Sequence, residues 1–355
     1  MTNGRIIQVL PTISYGDAVS NHVLQIRDIC RQSGWNTAIY AENIDPRIAE
    51  VERIGNLSRD MRRQDIIVYH MSTGSSVTEL VASLPVDRKV MIYHNVTPTE
   101  YFTRYNYNMA TLVSQGREQL KKVSSAFRLA LADSEFNRAE LEAAGFRKTG
   151  VLPLWLHDDK YESEPDAAIL ERYLDGRTNI LFVGRIVPNK KQEDLIKSFY
   201  YYKKLFNPSA RLLIVGSWNG MEEYLRDLHK FASYLELEDV VFTGHVSDSE
   251  LLAYYKVAHI FLSQSEHEGF CVPLLESMRF GVPILAYSVA AIPDTLGTAG
   301  LKFSEKDYPS IAALMDIVSK RKDIYIKLIE SQKERLKSFD ESHITNKFWQ
   351  YINSL

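Results

Sequence analysis

Residues 265–286 read SEHEGFCVPLLESMRFGVPILA. The string divides into a loop, a helix and a strand. Glu268 and Gly269 fall in the loop. Pro273 suits the first helical position, where the N–H it lacks would have no intrahelical partner. Gly281 ends the helix and Pro283 follows, the usual order of C-terminal signals. Residues 282–286 are apolar enough for a buried strand. A helix N-terminus offers N–H groups and a partial positive charge, so the loop predicts an anion site, with Gly269 letting backbone approach the anion closely. Glu268 and Glu276 bracket that site. Carboxylates there would repel a phosphate, but they suit hydroxyl groups on either side of one. A ligand with phosphate in the middle and polyols at both ends is a nucleotide-sugar. A lone surface glutamate would mean nothing; the whole string carries the reading.

The same alternation runs through the chain. Strands are expected over residues 5–10, 37–41, 65–70, 89–94, 127–132 and 151–153, then 180–183, 211–215, 240–243, 259–262 and 301–303. Helical patterns lie over residues 18–33, through Leu112, Leu120 and Val123, and over 134–145, with Ser134 as N-cap. They continue over residues 166–174, from Gln192, over 221–234, 249–256 and 310–336, and into an amphipathic tail with Ile344, Phe348, Trp349 and Ile352 on one side. Strands regularly spaced between helices predict doubly wound parallel sheets. In such sheets ligands bind beyond the carboxyl ends of the strands. Gly16 sits in the first such loop, though a plain turn would also use a glycine. His70 and His94 each end a strand. Arg185 and Lys190 stand in the loop after residues 180–183; Arg offers a fixed fork of donors and Lys a compact charge, both suited to phosphate. Loop cations are ordinarily just solvated, so the strand–loop–helix setting is what singles these two out. The stretch YFTRYNYN, residues 101–108, could stack on sugar or merely pack beneath a loop.

The string EGFCVPLLE, with its Glu-x7-Glu spacing and the Met-x-x-Gly-x-Pro that follows, resembles the signature of family four retaining glycosyltransferases. Arg185-x4-Lys190 matches that family's cationic pair. Cys271 stands where the family more often has Gly. The resemblance implies the GT-B fold: α/β, with two Rossmann-like doubly wound parallel-sheet domains facing each other across a cleft. The expected division is an acceptor-side domain over residues 1–160, a linker over 161–177, a nucleotide-sugar domain over 178–337, and a final helix over 338–355 returning to the first domain. It implies that Gly16, Arg185, Lys190 and the segment Gly269, Phe270, Cys271 and Val272 hold the donor phosphates. Glu276 would hold the ribose, and His245 and Val246 the base. His94 and Glu268 would work at the transferred sugar. The implied activity is transfer of a hexose-type sugar, with retention, from a nucleoside-diphosphate-sugar to a hydroxyl of a glycan or lipid-linked saccharide. The nucleotide-sugar is then a co-substrate and no cofactor is expected. No metal is expected either, since the sequence has no Asp-x-Asp pair. An epimerase of the same shape and a non-catalytic nucleotide-sugar-binding subunit are the alternatives. The missing GxGxxG fingerprint speaks against a dehydrogenase.

Composition sets outer bounds. The 355 residues are 45% hydrophobic and 25% charged with a net charge of −3, which is ordinary for a globular protein and gives no field for nucleic acid. Two cysteines, Cys30 and Cys271, are too few for a disulfide framework. The first residues lack a signal-peptide core, and the longest apolar stretch, near residues 282–292, is far short of a membrane span. The expected location is cytoplasmic. The sequons at Asn56 and Asn95 are then accidental. The cluster Arg59, Arg62 and Arg63 leaves peripheral contact at the inner membrane face open.

Overall fold

The structure, a computed structural model, describes residues 4–156 and 161–355. The expected domain boundary at residue 160 lies outside the described residues. The chain forms two compact units: Met1–Glu100, Asn108–Trp155 and Glu341–Leu355 make the first, and Tyr101–Tyr107 with Leu156–Asp340 make the second. The aromatic segment 101–107 thus counts with the second unit although its neighbours on both sides count with the first.

The first unit is built on seven strands: β1 (Ile6–Ile13), β2 (Thr37–Ile44), β3 (Glu52–Arg53), β4 (Ile66–Met71), β5 (Lys89–Tyr93), β6 (Leu129–Ala132) and β7 (Thr149–Val151). They lie in the order β3-β2-β1-β4-β5-β6-β7, and every pairing is parallel. All six residues of β4 are buried. That is what a central parallel strand covered by helices on both faces requires. One face packs Ile6, Val68, Ile92 and Leu131 against Ile26 and Trp155. The final helix, Glu341–Asn353, buries Ile344, Phe348 and Ile352 in the same cluster, and Trp349 stacks on Trp35.

The second unit repeats the plan with six strands: β8 (Asn179–Val183), β9 (Arg211–Val215), β10 (Val240–Gly244), β11 (Ile260–Ser263), β12 (Ile284–Tyr287) and β13 (Leu301–Phe303). Their order is β10-β9-β8-β11-β12-β13, again parallel throughout. The doubly wound α/β class is therefore present twice.

Local differences from the sequence reading have physical causes. The strand expected at residues 151–153 is Thr149–Val151; only the Leu152 N–H, bonded to Ala132 O, extends the ladder, because Pro153 has no donor. The helix expected over residues 310–336 is two helices, Tyr308–Lys320 and Lys322–Leu336, broken at an extended Arg321 that pairs with Asp323. Leu112 lies on the exposed side of Tyr107–Lys122, whose buried side is Ala110, Val113, Gly116, Gln119 and Leu120. The helix Ser76–Ser83 and strand β3 carry patterns too short to read.

Where β8 and β9 end, Gly184 donates to Val215 O, and Gly216 donates to Gly244 O at the end of β10. A Cβ on Gly216 would lie 2.0 Å from the Gly184 carbonyl oxygen, and φ there is +150°. No side chain fits against backbone at that distance. Gly216→Ala is expected to lower stability by about 3 kcal/mol, the upper end of the usual cost of overpacking. Denaturant unfolding of the purified variant checks this; a loss under about 1 kcal/mol would show that the strand ends yield.

Candidate functional site

In the second unit the strand order reverses between β8 and β11. Their ladder holds only Ile180↔Ile260 and Leu181↔Phe261. Beyond it the two loops diverge, which is the crevice where open α/β sheets place ligands. The loop after β8 carries Arg185 and Lys190. The loop after β11 carries Glu268 to Cys271. Asn189 fastens one loop to the other: its Nδ2 donates to His267 O at 2.9 Å, and its own carbonyl accepts from Glu266 N at 2.8 Å. Gln192 Nε2 holds Arg185 O at 3.0 Å. Lys306 bridges Asp194 and Glu266 at 2.7 and 2.8 Å. Burial pushes both carboxyls upward, but hydrogen bonds from Lys197 and Lys306 to Asp194, and from Lys306 to Glu266, outweigh it and hold both below their ordinary values.

Within this frame Lys190 and Glu268 form an ion pair, with side chains 21% and 6% exposed. The sequence reading gave these two separate partners, phosphate and sugar; the structure joins them. Arg185 is exposed, in the same loop as Lys190. Cys271 precedes the helix Val272–Phe280 in the left-handed conformation, φ 74° and ψ 68°, without a side-chain cap. That conformation costs a non-glycine residue about 1–2 kcal/mol and accounts for the glycine more usual there. The helix begins one residue before Pro273, not at it. The Phe270 ring is buried edge-on to Phe339, and its carbonyl accepts from Thr295 Oγ1 at 2.6 Å, while Glu268 O accepts from Ala291 N. The loop carbonyls are thus held by the chain around the helix Ile292–Leu296.

Glu276 is buried one turn into its helix, and both carboxylate oxygens accept phenols: Tyr161 Oη at 2.7 Å on Oε1 and Tyr255 Oη at 2.7 Å on Oε2. His245 and Val246 follow β10, on the same carboxyl edge but separated from β8 by β9. His245 is exposed, and Val246 packs on the core.

In the first unit Gly16 takes φ +78° in the loop between β1 and the helix Ala18–Gln32, which Asp17 caps. His70 and His94 come together there. His70 Nδ1 lies 2.9 Å from His94 Nε2, His70 Nε2 is 3.0 Å from Gln8 Oε1, and His94 Nδ1 is 3.0 Å from Asp133 Oδ2. The proton positions follow by elimination. Gln8 Nε2 donates to Val23 O, so its Oε1 accepts, and His70 Nε2 carries the hydrogen. Burial, then His94 and His22, hold the His70 pKa well below the ordinary value, so its Nδ1 accepts from His94 Nε2. One further proton is shared between His94 Nδ1 and Asp133, whose carboxyl burial pushes upward against the pull of His94. Both His94 nitrogens are thus taken up by protein partners, and its side chain is 1% exposed. A sugar contact through either nitrogen would require giving up one of these bonds.

His22 stands edge-on to His94 and Trp155. Each of His22, His70 and His94 offers a nitrogen, all within 4.8 Å, a spacing that could suggest a metal. The His70 and His94 rings are 6° from parallel with centres 5.3 Å apart, so their facing nitrogens point at one another. Metal–nitrogen bonds of about 2.0–2.1 Å do not fit a 2.9 Å head-on gap; a proton does.

Asn189, Tyr161, Tyr255, Asp133 and His22 escaped the sequence reading. Asn189 lies inside Arg185-x4-Lys190 and could have been weighed there. The others pair across long stretches of chain and leave no local signal.

The histidine cluster predicts a pH dependence. Among the described residues neither nitrogen of the fully buried His22 has a hydrogen-bond partner. Burial, then His94, depress its pKa well below 6.5. A depressed histidine charges in the unfolded chain first, so its stability is present above pH 6.5 and lost as pH falls below it. Each such group adds a slope of up to about 1.4 kcal/mol per pH unit. His22→Phe removes one group and two orphaned nitrogens. Urea unfolding between about pH 5 and 7.5 should show a slope shallower by about that amount. An unchanged slope would count against a neutral His22.

Comparison with known proteins falls on the same ground. Residues 171–335 match the family model for glycosyl transferases group 1. The O-antigen chain mannosyltransferase B of Escherichia coli is 25% identical over 238 residues, 64% of this chain and 60% of the relative. The sulfoquinovosyl transferase of Arabidopsis thaliana is 28% identical over 285 residues, 76% of this chain and 52% of the relative. The chain thus spans roughly half to three-fifths of the length of these relatives. Anabaena HepE in complex with UDP and glucose superposes with a TM-score of 0.76 at 16% identity, covering 99% of this chain and 100% of that one. This likeness shows the GT-B fold. The segment that carries Arg185, Lys190, Glu268 and Glu276 is therefore the segment that matches the group 1 glycosyl transferases.

Proposed function

We propose that this protein is a nucleotide-sugar-dependent glycosyltransferase that moves a hexose-type sugar, with retention, to a hydroxyl of a glycan or lipid-linked saccharide. The observation that carries this reading is the meeting of the Lys190 and Glu268 loops where the strand order reverses, with a helix N-terminus beside them and Glu276 one turn inside it. Arg185, Lys190 and the backbone of Gly269, Phe270, Cys271 and Val272 would stabilise charge on the departing diphosphate. Donor binding would exchange the Lys190–Glu268 pair for Lys190 on phosphate and Glu268 on sugar hydroxyls. Glu276 would hold the ribose. Attack from the side of the leaving group needs no protein nucleophile. In this reading two cations and a helix N-terminus would face the diphosphate, and no metal would be needed there. The E. coli relative's name, a mannosyltransferase of O-antigen chains, supports a hexose donor and a surface-glycan acceptor. The epimerase alternative has no comparable support. Among the described residues no helix is long and apolar enough to cross a membrane.

A thermal-shift panel with UDP, GDP, ADP, dTDP and NAD tests the reading. One nucleoside diphosphate should raise the melting temperature, since a ligand at a hundred times its Kd adds about 2.7 kcal/mol. Glu276→Ala and Lys190→Ala should abolish most of that response. No shift with any nucleoside diphosphate, or a shift with NAD alone, would refute it. NMR of the product's anomeric proton then reads retention.

A further inference from the structure

We propose that the first unit binds a phosphate ester in a pocket at the amino-terminal edge of its sheet, on Arg63, Lys89 and Arg128. The ester is either a free small molecule or a phospholipid headgroup. The Lys190 site of the second unit plays no part in it. The pocket has a volume of about 930 Å³. Small-molecule sites usually measure roughly 300–1,000 Å³. Ser58, Met61 and Arg63 line it from the segment before β4, residues 84–87 from the loop before β5, and residues 125–128 from the loop before β6. Lys89 is the first residue of β5 itself. These strands pair in parallel, so the three segments share one edge. His70, His94 and Asp133 stand at the other ends of the same strands. The pocket is therefore a strand's length from the carboxyl edge, where such sheets ordinarily bind ligands.

Its charge is one-sided. Three cations line the pocket against one carboxylate, Asp87, in a chain whose net charge is −3. The excess is local, and a concave wall focuses it. Arg63 and Arg128 are exposed, and among the described residues neither guanidinium has a hydrogen-bond or ion-pair partner. Asp65, the acid nearest to Arg63 in sequence, is buried and taken by Arg5 and by the Arg62 N–H. Lys89 is 7% exposed. Its Nζ donates to Ala82 O at 2.6 Å and to Leu84 O at 3.0 Å, around the end of the helix Ser76–Ser83. An ammonium has three hydrogens, so one remains for the pocket that Lys89 lines. Burial pushes this ammonium below its ordinary value, against the pull of Asp87. A bound anion would add to that pull and favour the charged form. One fixed ammonium and two free guanidinium forks are the donors a phosphate calls for. Met61, Val86 and Phe127 line the same space and give the ester's carbon chain an apolar wall.

The experiment has two arms, both on the full chain. One is calorimetric titration with glycerol phosphate. The other is co-sedimentation with vesicles of phosphatidylcholine, with and without phosphatidylglycerol. Each is run on wild type, the double variant Arg63→Ala/Arg128→Ala, Lys89→Gln and Lys190→Ala. The double variant changes exposed side chains only, and Lys89→Gln keeps a donor for Ala82 O while removing the charge. Wild type should bind glycerol phosphate or the phosphatidylglycerol vesicles. The double variant should weaken that binding about a hundredfold, tenfold for each arginine, as one charge-assisted hydrogen bond apiece is lost. Lys89→Gln should weaken it as well, and Lys190→Ala should leave it unchanged. Binding in the calorimetric arm identifies a free phosphate ester as sufficient; binding to vesicles alone identifies a headgroup. No binding in either arm, or binding that survives the double variant, would overturn the site. Binding lost in Lys190→Ala would move the anion to the second unit and overturn it equally.

Discussion

The short ladder between β8 and β11 is the constraint on which the second unit's chemistry depends. Only two residue pairs join these strands, and the chain then turns away from them in opposite directions along the sheet. Parallel pairing fixes the height at which both loops leave the sheet. It therefore fixes where Arg185, Lys190, Glu268 and the helix Val272–Phe280 can lie. Asn189 closes the divergence by one side-chain and one backbone hydrogen bond. The Lys190–Glu268 and Lys191–Glu266 ion pairs cross the same gap. Lys306, Asp194 and Glu266 add a half-buried charge network on the flank, where desolvation strengthens each pair relative to its value in water.

The first unit uses the same reversal for a different purpose. β1 and β4 are its central strands, and Gln8 on one faces His70 on the other. From there a row of hydrogen bonds runs through His94 to Asp133. The amide of Gln8, whose other end is tied to Val23 O, places the proton on His70 Nε2 at one end of that row. Polar groups buried beneath a parallel sheet must be satisfied in this way or by water. Among the described residues neither nitrogen of His22 is so satisfied; its ring is held against His70, His94 and Trp155, and it gives the unit its expected acid sensitivity. The row also bears on His94, whose two nitrogens serve the interior of the unit.

The two glutamates of the Glu-x7-Glu string differ in the same sense. Glu268 is paired with a cation that a phosphate could claim. Glu276 is paired with phenols that hydroxyls could replace. Both sit buried, and each carboxylate receives a hydrogen-bond donor from the chain: an ammonium on Glu268 and two phenols on Glu276.

Much of this was legible in the sequence. The alternation of apolar runs with helical patterns gave the two doubly wound sheets. Gly281 and Pro283 marked the end of the helix that bears Glu276, and the spacings around Arg185, Lys190, Glu268 and Glu276 marked the loops. These are local signals: backbone propensity, turn chemistry and periodicity act within a few residues. The pairings were not legible. Lys190 and Glu268 are 78 residues apart, Tyr161 and Glu276 are 115 apart, and His94 and Asp133 are 39 apart. A sequence states which groups can pair, but strand order and register decide which ones meet. Local sequence determined the sheets and the loops at their carboxyl edges; only the tertiary structure decided which charges and hydroxyls face one another there, because that depends on the order in which parallel strands pack.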